Sequence, residues 1–143
     1  MSQPEDFRLL QHLPHLLRRA HFEADAVFVQ MHGDAVTSRQ LALLVVVGRL
    51  PGGSQGQAAQ EIGLDLNTCS DLVARTVAKG LLHRERSSSD ARSYCLYLTP
   101  EGQTVVNVGV AKAGEYQATL ARRLSPIERG QLTGLLRKLL GFS

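Results

Sequence analysis

The 143-residue chain is 43% hydrophobic, with a formal net charge of +3 and a pI of about 9.2. That suffices for one compact core rather than two, and the basic balance is compatible with phosphate binding without requiring it. No apolar run reaches the roughly 18 residues that span a bilayer, no secretion pattern opens the chain, and its two cysteines make no disulfide framework, so a soluble cytoplasmic protein with reduced thiols is expected.

From Leu13 to Met31 the apolar residues Leu13, Leu17, Ala20, Ala24, Val27 and Met31 recur at alternating four- and three-residue steps, the period of one helix face. A long amphipathic helix is expected there, with Pro14 in its first turn and Glu5 to His12 as a separate short helix or lead-in. Thr37 with Gln40 is a capping-box pattern that opens Gln40 to Arg49, where Leu41, Leu43, Leu44 and Val45 to Val47 are apolar nearly all round. That helix should be buried; the strand propensity of the valines competes, but the cap and the length favour helix. Pro51, Gly52 and Gly53 mark a turn, and Ser54 with Gln57 repeats the box for a short helix that stops near Gly63.

Asn67 is expected to cap a third helix from Thr68 to Lys79, with Leu72, Val73 and Val77 inward and Gly80 in the left-handed conformation that ends helices. Two helices joined by a tight turn make a helix-turn-helix. Leu81 to Arg86 and Ser93 to Leu98 are strand candidates around the polar stretch Ser87 to Arg92, a hairpin with a long exposed tip. Thr99-Pro100, and later Ser125-Pro126 with Glu128, announce helices from Pro100 to Leu124 and from Pro126 to Leu140. The fold class expected is mainly α with a small β-hairpin wing, a winged helix-turn-helix.

A helix entering the major groove needs short polar residues in its first turns, and Asn67, Thr68, Ser70 and Asp71 supply them, with Asn67 equally explained as a cap. Asp71 is unusual beside phosphates: it either accepts from a cytosine amino group or pairs with Arg75 one turn on, the second being favoured. Arg75 and Lys79 are candidates for phosphate contact or for bracing the wing, against the plainer reading of a charged solvated face. Ser54, Arg84, Arg86, Ser88, Asp90 and Arg92 complete the candidate DNA-binding set: Arg92 is suited to a narrow minor groove, Asp90 to holding Arg92 or a neighbouring arginine, and the serines to phosphates.

The run Asp90-Ala91-Arg92-Ser93-Tyr94-Cys95-Leu96-Tyr97-Leu98-Thr99-Pro100-Glu101-Gly102 resembles the signature of MarR-family transcription regulators: an aspartate and arginine in the wing, then a strand ending in Leu-Thr-x-x-Gly. Ala58 to Leu64 and Leu81 to Glu85 resemble the segments flanking that family's recognition helix, and the resemblance covers essentially the whole chain. It implies a homodimeric winged-helix repressor on a pseudo-palindromic duplex operator, with a winged-helix lobe at about 36–99 and dimerisation helices at about 5–32 and 100–143. Asp71 departs from the family, many of whose members carry a basic or neutral residue there, which bears on operator sequence rather than binding mode. Leucine in excess of what one domain can bury independently favours association, with Leu9, Leu10, Leu120, Leu124, Leu135, Leu136 and Leu139 as interface candidates.

The resemblance further implies release from DNA by a small aromatic acid bound between the dimer helices and the DNA-binding lobe. His15, Arg18, Arg19 and Phe22, within two turns, suit a carboxylate and its ring; Arg18 or Arg19 paired to Glu23 on a solvated face is the equal alternative. Leu13 to Phe28 also resembles relatives that control the catabolism of aromatic or heteroaromatic acids. His12 and His15 share a face but lack a third ligand, and no Cys-x-x-Cys is present, so no metal is expected. Cys69, near the start of the recognition helix, is either a dipole-activated redox sensor or, as free cysteine usually is, a small buried apolar residue. Cys95 carries no sign of reactivity. With no Gly-x-Ser-x-Gly, phosphate-cradling glycine loop or acid pair beside a histidine, neither an enzyme nor a cofactor is expected. A winged helix used purely for protein interaction is the third class, and it should lack a salt-steep affinity for duplex DNA.

Overall fold

The computed structural model describes residues 3–90 and 92–142; Ala91, in the polar tip, lies outside them. Two 3-10 turns, Pro4–Asp6 and Leu9–Gln11, precede α1 (Leu13–His32), α2 (Ser38–Arg49), α3 (Gln55–Ile62) and α4 (Leu66–Ala78). The strands β1 (Leu82–Arg86) and β2 (Tyr94–Leu98) follow, then α5 (Pro100–Leu120) and α6 (Pro126–Leu139). The expected mainly helical fold with a two-stranded wing is observed. The chain forms two compact units, one of residues up to Met31 together with those from Gly114 onward, the other His32–Ala113.

The second unit is the winged helix. Its core joins Leu43, Leu44 and Val47 of α2, Ala58 and Ala59 of α3, Cys69, Leu72 and Val73 of α4, and Leu81, Leu82 and Leu96 around the hairpin. Short side chains at Ala58 and Ala59 let α3 pack closely at interior density. Both predicted capping boxes close: Gln40 and Thr37 exchange hydrogen bonds of 3.1 Å each way, and Gln57 and Ser54 do so at 3.0 and 2.8 Å. α2 is a helix with Leu43, Leu44 and Val47 buried, so tertiary burial outweighs valine's strand preference.

β1 and β2 pair antiparallel, Leu82 opposite Leu98, Arg84 opposite Leu96 and Arg86 opposite Tyr94. The glycine turn before α3 covers the far edge of β2: Gly52 N–H donates to Leu96 O at 2.9 Å, Leu96 N–H donates to Gly53 O at 3.0 Å, and Ser54 bridges Cys95. That pairing removes an edge that would otherwise recruit another strand. A Cβ at Gly102 would collide with the carbonyl oxygen of Leu81, which explains glycine in the Leu-Thr-x-x-Gly ending. Thr99 ties the same corner, donating from Oγ1 to Gly80 O at 2.6 Å and accepting from Gly102 N–H at 3.0 Å.

In the first unit, the Tyr116 hydroxyl of α5 donates to Ala24 O of α1 at 2.6 Å, and its ring meets Phe28 edge-on. The closing box of α6 forms between Ser125 and Glu128.

Several expected boundaries move. Asp65, not Asn67, caps α4, because its extended backbone lets one carboxylate take both the amide and the hydroxyl of Thr68 at 2.8 Å each; an anion there also suits the positive end of the helix. α4 therefore begins at Leu66, ahead of the expected Thr68, and ends at Ala78, with Gly80 left-handed at φ 74°. α5 ends at Leu120 rather than Leu124, since Leu124 N–H turns back onto Ala121 O at 2.9 Å to reach the extended conformation of Ser125. α6 ends at Leu139, and β1 and β2 start one residue later than expected.

Candidate nucleic-acid interface

The site lies on α4 and the hairpin, both in the His32–Ala113 unit. One side of α4 packs inward through Cys69, Leu72, Val73 and Thr76, whose hydroxyl satisfies itself on Leu72 O at 2.6 Å. The opposite side presents Leu66, Asn67, Asp71, Ala74 and Arg75 to solvent, with Ser70 half-buried among them. With the cap placed on Asp65, Asn67 has no capping task and stands in the first exposed turn, whereas the Thr68 side chain is committed to the cap. Cap hydrogen bonds from the Thr68 amide, then from its hydroxyl, hold the Asp65 carboxyl below its ordinary range.

The Asp71–Arg75 pairing favoured from sequence does not form. Among the described residues no ion pair joins Asp71 to Arg75, so both charged heads remain on the open face. Lys79 turns away from the wing: its Nζ donates to Ala35 O at 2.6 Å and to the buried Gln40 Oε1 at 2.8 Å. The lysine stem reaches back across the unit to the polar start of α2, a contact 39 residues away in sequence.

In the hairpin, alternation places Arg84 and Arg86 together, their guanidinium carbons 4.9 and 5.1 Å from the centre of the Tyr94 ring. Glu85 alternates to the other face, where it meets His83 Nε2 at 2.9 Å. The tip is built from local polar turns: Ser87 Oγ accepts from the Ser89 and Asp90 amides at 3.3 Å, and Asp90 Oδ1 accepts from the Arg92 amide at 3.0 Å. Asp90 thus positions the Arg92 backbone rather than an arginine side chain; Arg92 is exposed. Ser88 is exposed too, within the same tip. Ser54 is half-buried, its hydroxyl engaged in the α3 cap.

Cys69 is fully buried, its Sγ 3.8 Å from Gln55 O. Burial, then the charge of Asp65, pushes its thiol pKa up, opposite to the activation expected at a helix N-terminus, because desolvation disfavours the thiolate.

On α1, His15 is half-buried, Arg18 and Arg19 are exposed, and Phe22 is 60% exposed. Glu23 pairs with Arg122 at 3.7 Å rather than with Arg18 or Arg19. Leu9, Leu10, Leu120, Leu135 and Leu139 are exposed, Leu10 and Leu135 each by 65%, while Leu124 and Leu136 are half-buried. No helix of the described residues is long and apolar enough to cross a membrane. Two further residues of this surface, Leu66 and Tyr94, lack a local signal in the sequence: Leu66 lies ahead of the helix start expected at Thr68, and Tyr94 meets the arginines only because strand pairing sets it opposite Arg86.

Residues 36–93 match the model of the MarR family. The putative transcriptional regulatory protein for the hcr operon of Thauera aromatica is 36% identical over 107 residues, which cover 74% of this chain and 64% of that protein, just under two thirds of its length. Among solved structures, PcaV from Streptomyces coelicolor with its natural ligand is 27% identical, with a TM-score of 0.88 over 99% of this chain and 98% of that one. BpsR from Bordetella bronchiseptica, whose DNA binding is regulated by 6-hydroxynicotinic acid, is 29% identical, with a TM-score of 0.80 over 89% of this chain and 97% of that one. The Thauera protein and PcaV are named as transcription regulators, not as enzymes.

Proposed function

The chain belongs to the MarR family of transcription regulators, and on that premise we propose that it is a homodimeric repressor bound to a pseudo-palindromic operator and released by a small aromatic or heteroaromatic acid. One observation carries the DNA-binding part: within one unit, a helix packed on one side offers Asn67, Ser70, Asp71 and Arg75 on the other, beside a hairpin bearing Arg84, Arg86 and Arg92. The helix face suits base edges and the arginines suit phosphates or a narrow minor groove.

Dimerisation through residues 5–32 and 100–143 is favoured by the exposed leucines, since an α6 with no buried residue has little reason to be helical unless a partner covers its apolar positions. Two-fold symmetry would then set the two recognition helices about one DNA turn apart, roughly 34–36 Å. His15, Arg18, Arg19 and Phe22 supply cations and a ring for an aromatic acid, a chemistry consistent with the regulation of BpsR by 6-hydroxynicotinic acid. The acid would act by binding more tightly to a dimer whose recognition helices are wrongly spaced for the operator.

The test is fluorescence anisotropy on duplexes from the gene's own upstream region, at two salt concentrations, with and without a panel of aromatic acids. Salt-steep binding relieved by one acid is expected. Binding that no acid relieves removes the effector part, and an absence of sequence-selective binding removes the regulator reading.

A further inference from the structure

The exposed face of α4 has an unusual composition for a surface that meets polyanionic DNA. It carries an acid, Asp71, without an ion-pair partner among the described residues, and an apolar side chain, Leu66, that is 64% exposed on the first residue of the helix. Leu66 sits where α3 and α4 meet, its Cδ2 3.9 Å from where a Cβ on Gly56 would lie. Neither residue serves the fold visibly: the inward face is complete without them, and Asp65 supplies the cap.

We propose that Leu66 and Asp71 set the operator sequence, Leu66 by apolar contact with a thymine methyl group and Asp71 by accepting a hydrogen bond from a cytosine amino group in the same half-site. The proposal rests on the DNA-binding reading above and deepens it.

The chemistry of base edges decides the assignment. A carboxylate in the major groove is repelled by flanking phosphates and is tolerated only where a base edge offers a donor. Guanine presents two acceptors and thymine one, so both repel it; adenine offers an amino group beside an acceptor nitrogen, which disfavours the second carboxylate oxygen. Cytosine presents its amino group without an adjacent acceptor. Leu66 has nothing to exchange with a donor or an acceptor, and the one apolar group on a major-groove edge is the thymine methyl. Asp71 lies five positions after Leu66, about 7.5 Å along the helix axis and about 140° around it, so the two side chains meet different base pairs of one half-site.

The full-length protein and its Asp71→Asn and Leu66→Ala variants would each select from a pool of randomised duplexes, and the recovered sites would be titrated with thymine replaced by deoxyuridine, which lacks the methyl group. The wild type should enrich a half-site with one fixed cytosine and one fixed thymine. The Asp71→Asn variant would favour adenine, to which asparagine bonds bidentately, and its preference for cytosine should fall by about fivefold or more. Deoxyuridine should weaken wild-type binding about fourfold per half-site, the worth of one buried carbon, or about fifteenfold for the dimer, and leave Leu66→Ala largely unaffected. The base replacement needs no protein variant, so a misfolded mutant cannot mimic the result. A wild-type motif that both variants retain, with no penalty for deoxyuridine, overturns the proposal and leaves the DNA-binding reading intact. Failure of the wild type to enrich any motif overturns both.

Discussion

Lys79, at the C-terminal end of α4, donates to the side-chain oxygen of Gln40 at 2.8 Å, and the same oxygen accepts the Thr37 amide of the α2 capping box at 3.1 Å. A cation on the helix that bears the candidate base-reading residues is therefore spent on holding α2. Lys79→Ala should lower stability by about 1–2 kcal/mol, the worth of charge-assisted hydrogen bonds to a buried partner. It should leave the slope of log affinity against log salt unchanged, whereas Arg92→Ala, which removes one arginine from each wing of the dimer, should reduce that slope by about 1.8. Chemical denaturation and salt titrations of both variants separate the roles; a shallower slope in Lys79→Ala would return the lysine to the phosphates.

The Asp65 cap makes the start of α4 sensitive to acid. Its folded-state pKa is depressed by the Thr68 hydrogen bonds, so its stabilisation is complete above the ordinary aspartate value of about 3.9 and is lost as pH falls through the lowered one. Denaturation midpoints from pH 5 to pH 2.5 should fall more steeply for the wild type than for Asp65→Asn, which cannot titrate. Parallel profiles would mean that the cap is not linked to folding.

Tyr94 presents one ring to both Arg84 and Arg86. Tyr94→Phe keeps the aromatic face and should bind DNA as the wild type does, while Tyr94→Leu takes the ring away from both guanidinium groups and should weaken binding several-fold, in line with cation–π energies of about 0.5–1 kcal/mol per contact at exposed sites. Anisotropy titrations of the two variants decide it, and equal affinities would show that the ring does not orient the arginines.

Cys69 is fully buried and Cys95 is half-buried, so alkylation of the native protein should label Cys95 first, and Cys69 only as the winged helix opens. Peptide mass spectrometry over a time course would show this. Rapid labelling of Cys69, together with loss of DNA binding on mild oxidation, would favour a redox sensor over a packed core thiol.

Local grammar was legible in the sequence wherever a few neighbouring residues settle the outcome. The boxes at Thr37, Ser54 and Ser125 each depend on two side chains three residues apart, and the helix-stopping glycines at Gly63 and Gly80 need only a left-handed backbone. The order of helices and the hairpin followed from periodicity, and the wing signature followed from one contiguous run. Misplacing the α4 cap by two residues came from two near-equivalent capping side chains, Asp65 and Asn67, which local preference cannot rank.

Tertiary structure decided which polar groups are available. Lys79 found Gln40, Glu23 found Arg122 instead of its helix neighbours, and Cys69 was sealed in the core, each through partners at least fourteen residues away. Charge pairing and burial depend on distance in space, which sequence spacing predicts only within a helix or a turn. The same three-dimensional arrangement left Asp71 and Leu66 uncovered, and so placed an acid and an apolar side chain on the face proposed to read the operator.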